Sequence, residues 1–121
     1  MTPSSFIGAL FQSRDMMHIA HLQTTSYAEH KALGSYYDGI LDLTDKFTET
    51  YFGRNKRVEI TVPESKIADA ITHLKEMQKM IDAERAMYSS ELQNIMDEML
   101  SLINNTSVSY THLTLPTIYS V

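Results

Sequence analysis

The chain has 121 residues, 43% of them hydrophobic and 21% charged, a globular balance that excludes disorder and leaves room for one domain rather than two. A formal net charge of -5 and a pI near 5.4 exclude a protein built mainly to hold nucleic-acid phosphate, which needs clustered Lys and Arg. Cysteine is absent, so disulfides and thiolate metal sites are excluded and a cytoplasmic location is expected. No stretch approaches the roughly 18 apolar residues of a membrane span, and the first residues carry no basic leader, so neither a membrane partner nor a signal peptide is expected.

Thr2-Pro3-Ser4 suits a helix start, because Pro fits the first turn and Ser or Thr caps it. Phe6, Leu10, Met17 and His21 then recur at helical spacing and predict helix A over about 4–24. Thr24-Thr25-Ser26 interrupts the pattern, and Ser26 followed by Glu29 reads as a capping box that opens helix B. Leu33, Tyr37, Ile40, Leu41, Thr44, Phe47 and Tyr51 mark its buried face over about 27–52, with Gly53 as a natural stop.

Residues 54–62, RNKRVEITV, combine a basic cluster with β-prone residues and suit an extended crossover. Pro63-Glu64 opens helix C, predicted over about 64–87 with Ile67, Ile71, Leu74, Met77 and Ile81 inward. Ser89-Ser90 with Gln93 gives a second capping signal, so helix D is placed over about 90–105; one long helix over 64–105 is the alternative. With 4 Gly and 3 Pro the turns are too few for a β-sandwich, and the fold class is an all-α antiparallel helical bundle over 1–106. Residues 107–121, SVSYTHLTLPTIYSV, lose the helical period. They read as a disordered tail, an edge strand, or a non-native segment, since the stretch also looks like a translated adapter tail.

Chemistry is sought on helices A and B. Asp38, Asp42, Asp45 and Glu49 lie within about 40° of the direction of Asp38 at 100° per residue, forming one acidic stripe. Like charges so arranged repel unless water, a basic partner or a cation offsets them. The bland reading is a solvated helix face; the functional one is a hard-cation site. His18, His21 and His30 fall in a 13-residue window beside the A–B connection, and imidazole with carboxylate suits iron, manganese or zinc. His73 stands alone and reads as a surface or boundary residue. The methionines of helices C and D, together with Tyr36 and Tyr37, read as core and boundary packing.

The run HIAHLQTTSYAEHKALGSYYDGILDLTDKFTE resembles the helix A–B region of ferritin-like proteins of the starvation-induced DNA-protection (Dps) branch. In that family a second His follows the first by twelve residues, and an Asp and a Glu follow the second by fifteen and nineteen. His18, His30, Asp45 and Glu49 reproduce those offsets, with His21 as the alternative first ligand. The chain looks most like the short, uncharacterised ferritin-like proteins of tailed phages. The resemblance implies a ferritin-like four-helix bundle with a long B–C crossover, a homo-oligomer whose site lies between subunits, and iron binding with Fe(II) oxidation or storage. Two positions depart from the pattern: Gly34 stands where the family has an Asp ligand, and Ile19 where it has Trp. A metal-free interaction protein that kept the bundle and lost the site is the alternative. Nucleic-acid binding is not expected, because residues 1–13 contain neither Lys nor Arg and Arg54-Lys56-Arg57 is the lone basic cluster.

Overall fold

The computed structural model describes residues 1–66 and 69–113. Within them the chain is all-helical, with four α-helices: α1 (Pro3–Gln23), α2 (Tyr27–Arg54), α3 (Ala70–Glu84) and α4 (Ser90–Leu113). Thr2 caps α1 by accepting from the Ser5 amide, while the Ser5 hydroxyl accepts from the Thr2 amide. Ser26 caps α2 by accepting from the Glu29 amide. Half of the box expected there forms, since the Glu29 carboxylate accepts from the Thr24 hydroxyl instead, at 2.7 Å.

Contacts between helices fix their directions. Gln12 on α1 donates to the Glu64 carbonyl and Ser13 meets His73, so the C-terminal half of α1 lies toward the start of α3. Lys46 pairs with Glu98 and Arg54 with Glu91, so α2 and α4 run antiparallel. Arg85, in a short 3-10 turn over Arg85–Met87, forks onto Asp97 at 2.8 and 3.0 Å and folds α4 back along α3. The order is therefore up-down-down-up, with α2 packed between α1 and α4, and α3 completing the square against both.

Because α2 and α3 run the same way, the chain between their caps Asn55 and Asp69 must travel the length of the bundle. At about 3.3 Å per residue it reaches roughly 45 Å, ample for the about 31 Å of α1. It follows one stripe of α1. The Ser4 hydroxyl donates to the Glu59 carbonyl, Gln12 donates to the Glu64 carbonyl at 2.8 Å, and Gly8 between them lets the Thr61 carbonyl oxygen close in. A Cβ at Gly8 would lie 2.0 Å from that oxygen. The four-residue spacing of Ser4, Gly8 and Gln12 is thus the track of the crossover.

Helix α3 begins at Ala70, not at 64. Asp69 caps it by accepting from the Thr72 amide, and residues 61–66 stay exposed without regular structure. The chain turns at Tyr88, whose extended backbone ends the 3-10 segment, so C and D are separate helices. Helix α4 runs eight residues past the expected 105, to Leu113. Buried Thr106 and Tyr110, packed against the core, hold a segment whose Ser and Thr content disfavours helix; packing overrides propensity there. Residues 114–121, and with them the rest of the expected tail, lie outside the described residues.

The core is a continuous cluster through all four helices. At one end Phe6, Phe47 and Tyr88 meet with ring centroids 5.2–5.5 Å apart, each adding about 1.5–3 kcal/mol by burial. On α2 the core residue is Tyr36, fully buried, whereas Tyr37 stays at the boundary. The inward stripe runs Leu33, Tyr36, Ile40, Thr44, Phe47, in steps of three or four as an α-helix requires. No helix among the described residues is long and apolar enough to cross a membrane.

Candidate functional site

The end of the bundle where α1 turns into α2 gathers the three histidines expected there. His18 stacks on Tyr37 at 4.1 Å between ring centroids, and His21 stacks on His30 at 3.6 Å. His21 also meets the Tyr37 ring edge-on at 5.1 Å, and the Arg14 guanidinium lies 5.9 Å from the same ring centre. The result is a half-buried aromatic column across the two helices.

Main-chain contacts lock the central pair. The His30 Nδ1–H donates to the His21 carbonyl at 2.7 Å, and the His21 Nδ1–H donates to the His30 carbonyl. Both bonds close the turn between α1 and α2, and the one to the His21 carbonyl supplies a partner that the last turn of α1 lacks. Gly34 makes room for this arrangement: a Cβ there would come within 2.9 Å of the His21 ring. The position that departs from the Dps pattern is therefore the seat of an imidazole.

Asp45 and Glu49 are brought to neither His18, His21 nor His30. Both are exposed on the outer face of α2, as are Asp38 and Asp42. His30 and Asp45 are fifteen positions apart on one helix, about 22 Å at 1.5 Å per residue. Among the described residues no group of three or more His, Asp or Glu side chains is arranged to hold a metal ion.

A second polar feature lies in the core and was not expected. The hydroxyl of Ser13 on α1 is 2.7 Å from the Tyr36 hydroxyl on α2 and 2.7 Å from His73 Nε2 on α3. His73 is 5% exposed, which corrects its reading as a surface or boundary residue. Burial pushes the Tyr36 phenol far above its usual range, and burial also pushes His73 below its ordinary 6.5, against a weaker opposing effect of Glu76. One orientation satisfies all three groups: Tyr36 O–H donates to Ser13, Ser13 O–H donates to Nε2, and the His73 proton sits on Nδ1. With Ser13 wholly buried the chain ties three helices and offers no nucleophile to a substrate. Its sequence signal is periodic, since Ser13 continues the stripe Phe6, Leu10, Met17 and His73 lies between Ala70 and Met77.

A four-helix bundle with a crossover between its second and third helices defines the class of protein but no chemistry. The chain belongs to a family of unknown function (DUF5856), whose model matches residues 21–110. It is similar to an uncharacterised 14.6 kDa protein of the mobD-ri intergenic region of Enterobacteria phage T4, with 27% identity over 101 residues, 80% of this chain and 78% of the relative. No solved structure matches it. The family match is to neither a ferritin-like nor a Dps family.

Proposed function

We propose that the chain is a phage-type helical-bundle protein of ferritin-like connectivity that works by binding another macromolecule, without a metal and without catalysis. One observation carries the reading: among the described residues no three His, Asp or Glu side chains converge to hold a metal ion, and Asp45 and Glu49 stand on an open helix face with none of the histidines beside them. The solvated acidic stripe and the seating of His21 on Gly34 support it. Leu22 and Tyr27, 65% and 77% exposed beside the α1–α2 turn, supply apolar contact area of the kind interfaces use. Purified protein is expected to carry no iron and to melt at one temperature with or without Fe(II), Mn(II) or Zn(II). Saturable Fe(II) oxidation that disappears in Asp45→Ala and Glu49→Ala variants would overturn it.

A second reading is iron binding between copies of a homo-oligomer. The up-down-down-up connectivity favours it, as does the exposure of Asp45 and Glu49 on an outer face that a two-fold partner could cover. Assembly state measured together with metal content separates the two: an iron-bearing dodecamer supports this second reading, and an iron-free monomer the first.

A further inference from the structure

The basic cluster at the end of α2 has no place in either reading. The structure sets its first residue, Arg54, against a cavity at the opposite end of the bundle from the histidines. That cavity, about 390 Å³, has Arg54, Tyr88, Ser89 and Leu92 in its wall. Arg54 is the one charged side chain among these lining residues, and Lys56 and Arg57 follow it on the exposed start of the crossover. Glu91 answers the Arg54 charge and the N-terminal ammonium answers Glu84 beside Tyr88, so with Lys56 and Arg57 the mouth keeps an excess of positive charge and is rich in donors.

Two of its hydroxyls lack partners. Tyr88 is 8% exposed, and its buried hydroxyl makes no hydrogen bond. The Ser89 hydroxyl is likewise buried and unpartnered, although Ser89 stands at the cap position of α4. The first main-chain bond of α4 runs from the Gln93 amide to the Ser89 carbonyl, so the amides of Ser90, Glu91 and Leu92 precede any helical partner. A buried polar group without a partner is costly, and a helix N-terminus favours negative charge. Such unmet donors around one positive side chain match an oxyanion.

We propose that this cavity binds a small molecule through a phosphate or carboxylate group, held by the Arg54 guanidinium, the Tyr88 and Ser89 hydroxyls and the first-turn amides of α4. Glu91, which pairs with Arg54 at 2.8 Å, swings outward to solvent as the anion takes its place. Burial and the nearby Glu84 carboxylate push the Tyr88 phenol up to about 12, so it enters as a donor.

The test uses the full chain and inorganic phosphate, with acetate as the carboxylate arm and sodium chloride at equal ionic strength as the reference. Phosphate or acetate should give saturable amide shifts at Ser90, Glu91 and Leu92 and raise the melting temperature. Arg54→Gln should weaken binding about tenfold or more. Tyr88→Phe makes the sharper variant, because deleting an unpartnered hydroxyl should leave the ligand-free protein as stable or more stable while shrinking the phosphate-dependent gain. Shifts no larger than those from chloride, or an undiminished gain in Tyr88→Phe, would overturn the assignment.

Discussion

His21 and His30 close the first helical hairpin by exchanging hydrogen bonds: each ring donates from Nδ1 to the other's main-chain carbonyl, and the rings stack at 3.6 Å. One of the two bonds does what a glycine cap does in other hairpins, giving the His21 carbonyl at the end of α1 a partner in a turn whose flanking residues, Thr24 and Ser26, are extended rather than left-handed. The worth of the pair is stability, and it should be measurable as coupling. His21→Ala and His30→Ala should each lower unfolding free energy by about 1–2 kcal/mol, and the double variant should lose less than the sum by about 0.5–1.5 kcal/mol. Urea unfolding of the four proteins measures this. Strict additivity would mean that the contacts do not act as a unit.

Gly8 and Gly53 make a second, opposed pair. A Cβ at Gly8 would sit 2.0 Å from the Thr61 carbonyl oxygen, which is backbone and cannot rotate away, whereas a Cβ at Gly53 meets nothing within 4 Å. Gly8→Ala should therefore push the crossover off α1 and cost about 1–3 kcal/mol. Gly53→Ala lies in the exposed last turn of α2 and should be neutral or stabilising by up to about 1 kcal/mol. Thermal melts of the two variants check the contrast, and equal effects would remove the close approach as its cause.

The Ser13 relay predicts both a ranking and a pH dependence. Ser13→Ala strands a buried phenol and a buried imidazole together and should cost about 1–3 kcal/mol, more than Tyr36→Phe, which leaves the Ser13–His73 bond in place. Protonating His73 would turn Nε2 into a donor, reverse Ser13, and leave the Tyr36 hydroxyl hydrogen without an acceptor. His73 in the unfolded chain titrates near 6.5, and in the folded chain lower. Between those values the unfolded state holds more protons, so stability rises with pH. The contribution is complete above 6.5 and is lost as pH falls through the folded value. Urea midpoints between about pH 7.5 and pH 5.5 should fall more steeply for the natural protein than for His73→Gln. Parallel slopes would refute the relay.

What the sequence made legible was whatever local periodicity and capping encode. Phe6, Leu10 and Met17 on α1, and Ile40, Thr44 and Phe47 on α2, are inside because helical spacing puts them there. The turn at Ser26 and the break at Tyr88 carry side chains that favour ends over interiors. The partners of polar groups were not legible. Nothing in the spacing of Ser13, Tyr36 and His73 states that three helices bring them to one point, and the apolar neighbours of His73 were the remaining hint. Gly34 had looked like a lost ligand, and its use as a seat for His21 depends on a ring from another helix. The start of α3 was misplaced because Pro63-Glu64 makes a good local helix opening, while the chain there is held extended by tertiary contacts to α1.

Asp45 and Glu49 supply the last prediction, because the two functional readings disagree about their sign. On a solvated face, four carboxylates at i, i+4, i+7 and i+11 repel one another, and removing one charge relieves that repulsion. Asp45→Asn and Glu49→Gln should then leave stability unchanged or slightly raised at low salt, with the difference shrinking as salt screens the stripe. Added Fe(II) or Mn(II) should not change the ordering. An intersubunit metal site gives the reverse result: each substitution would lower the melting temperature of the metal-loaded protein, have little effect on the metal-stripped one, and weaken its assembly. Melts of both variants at low and high salt, with and without metal, distinguish a charged surface from a ligand set by the direction of the shift alone.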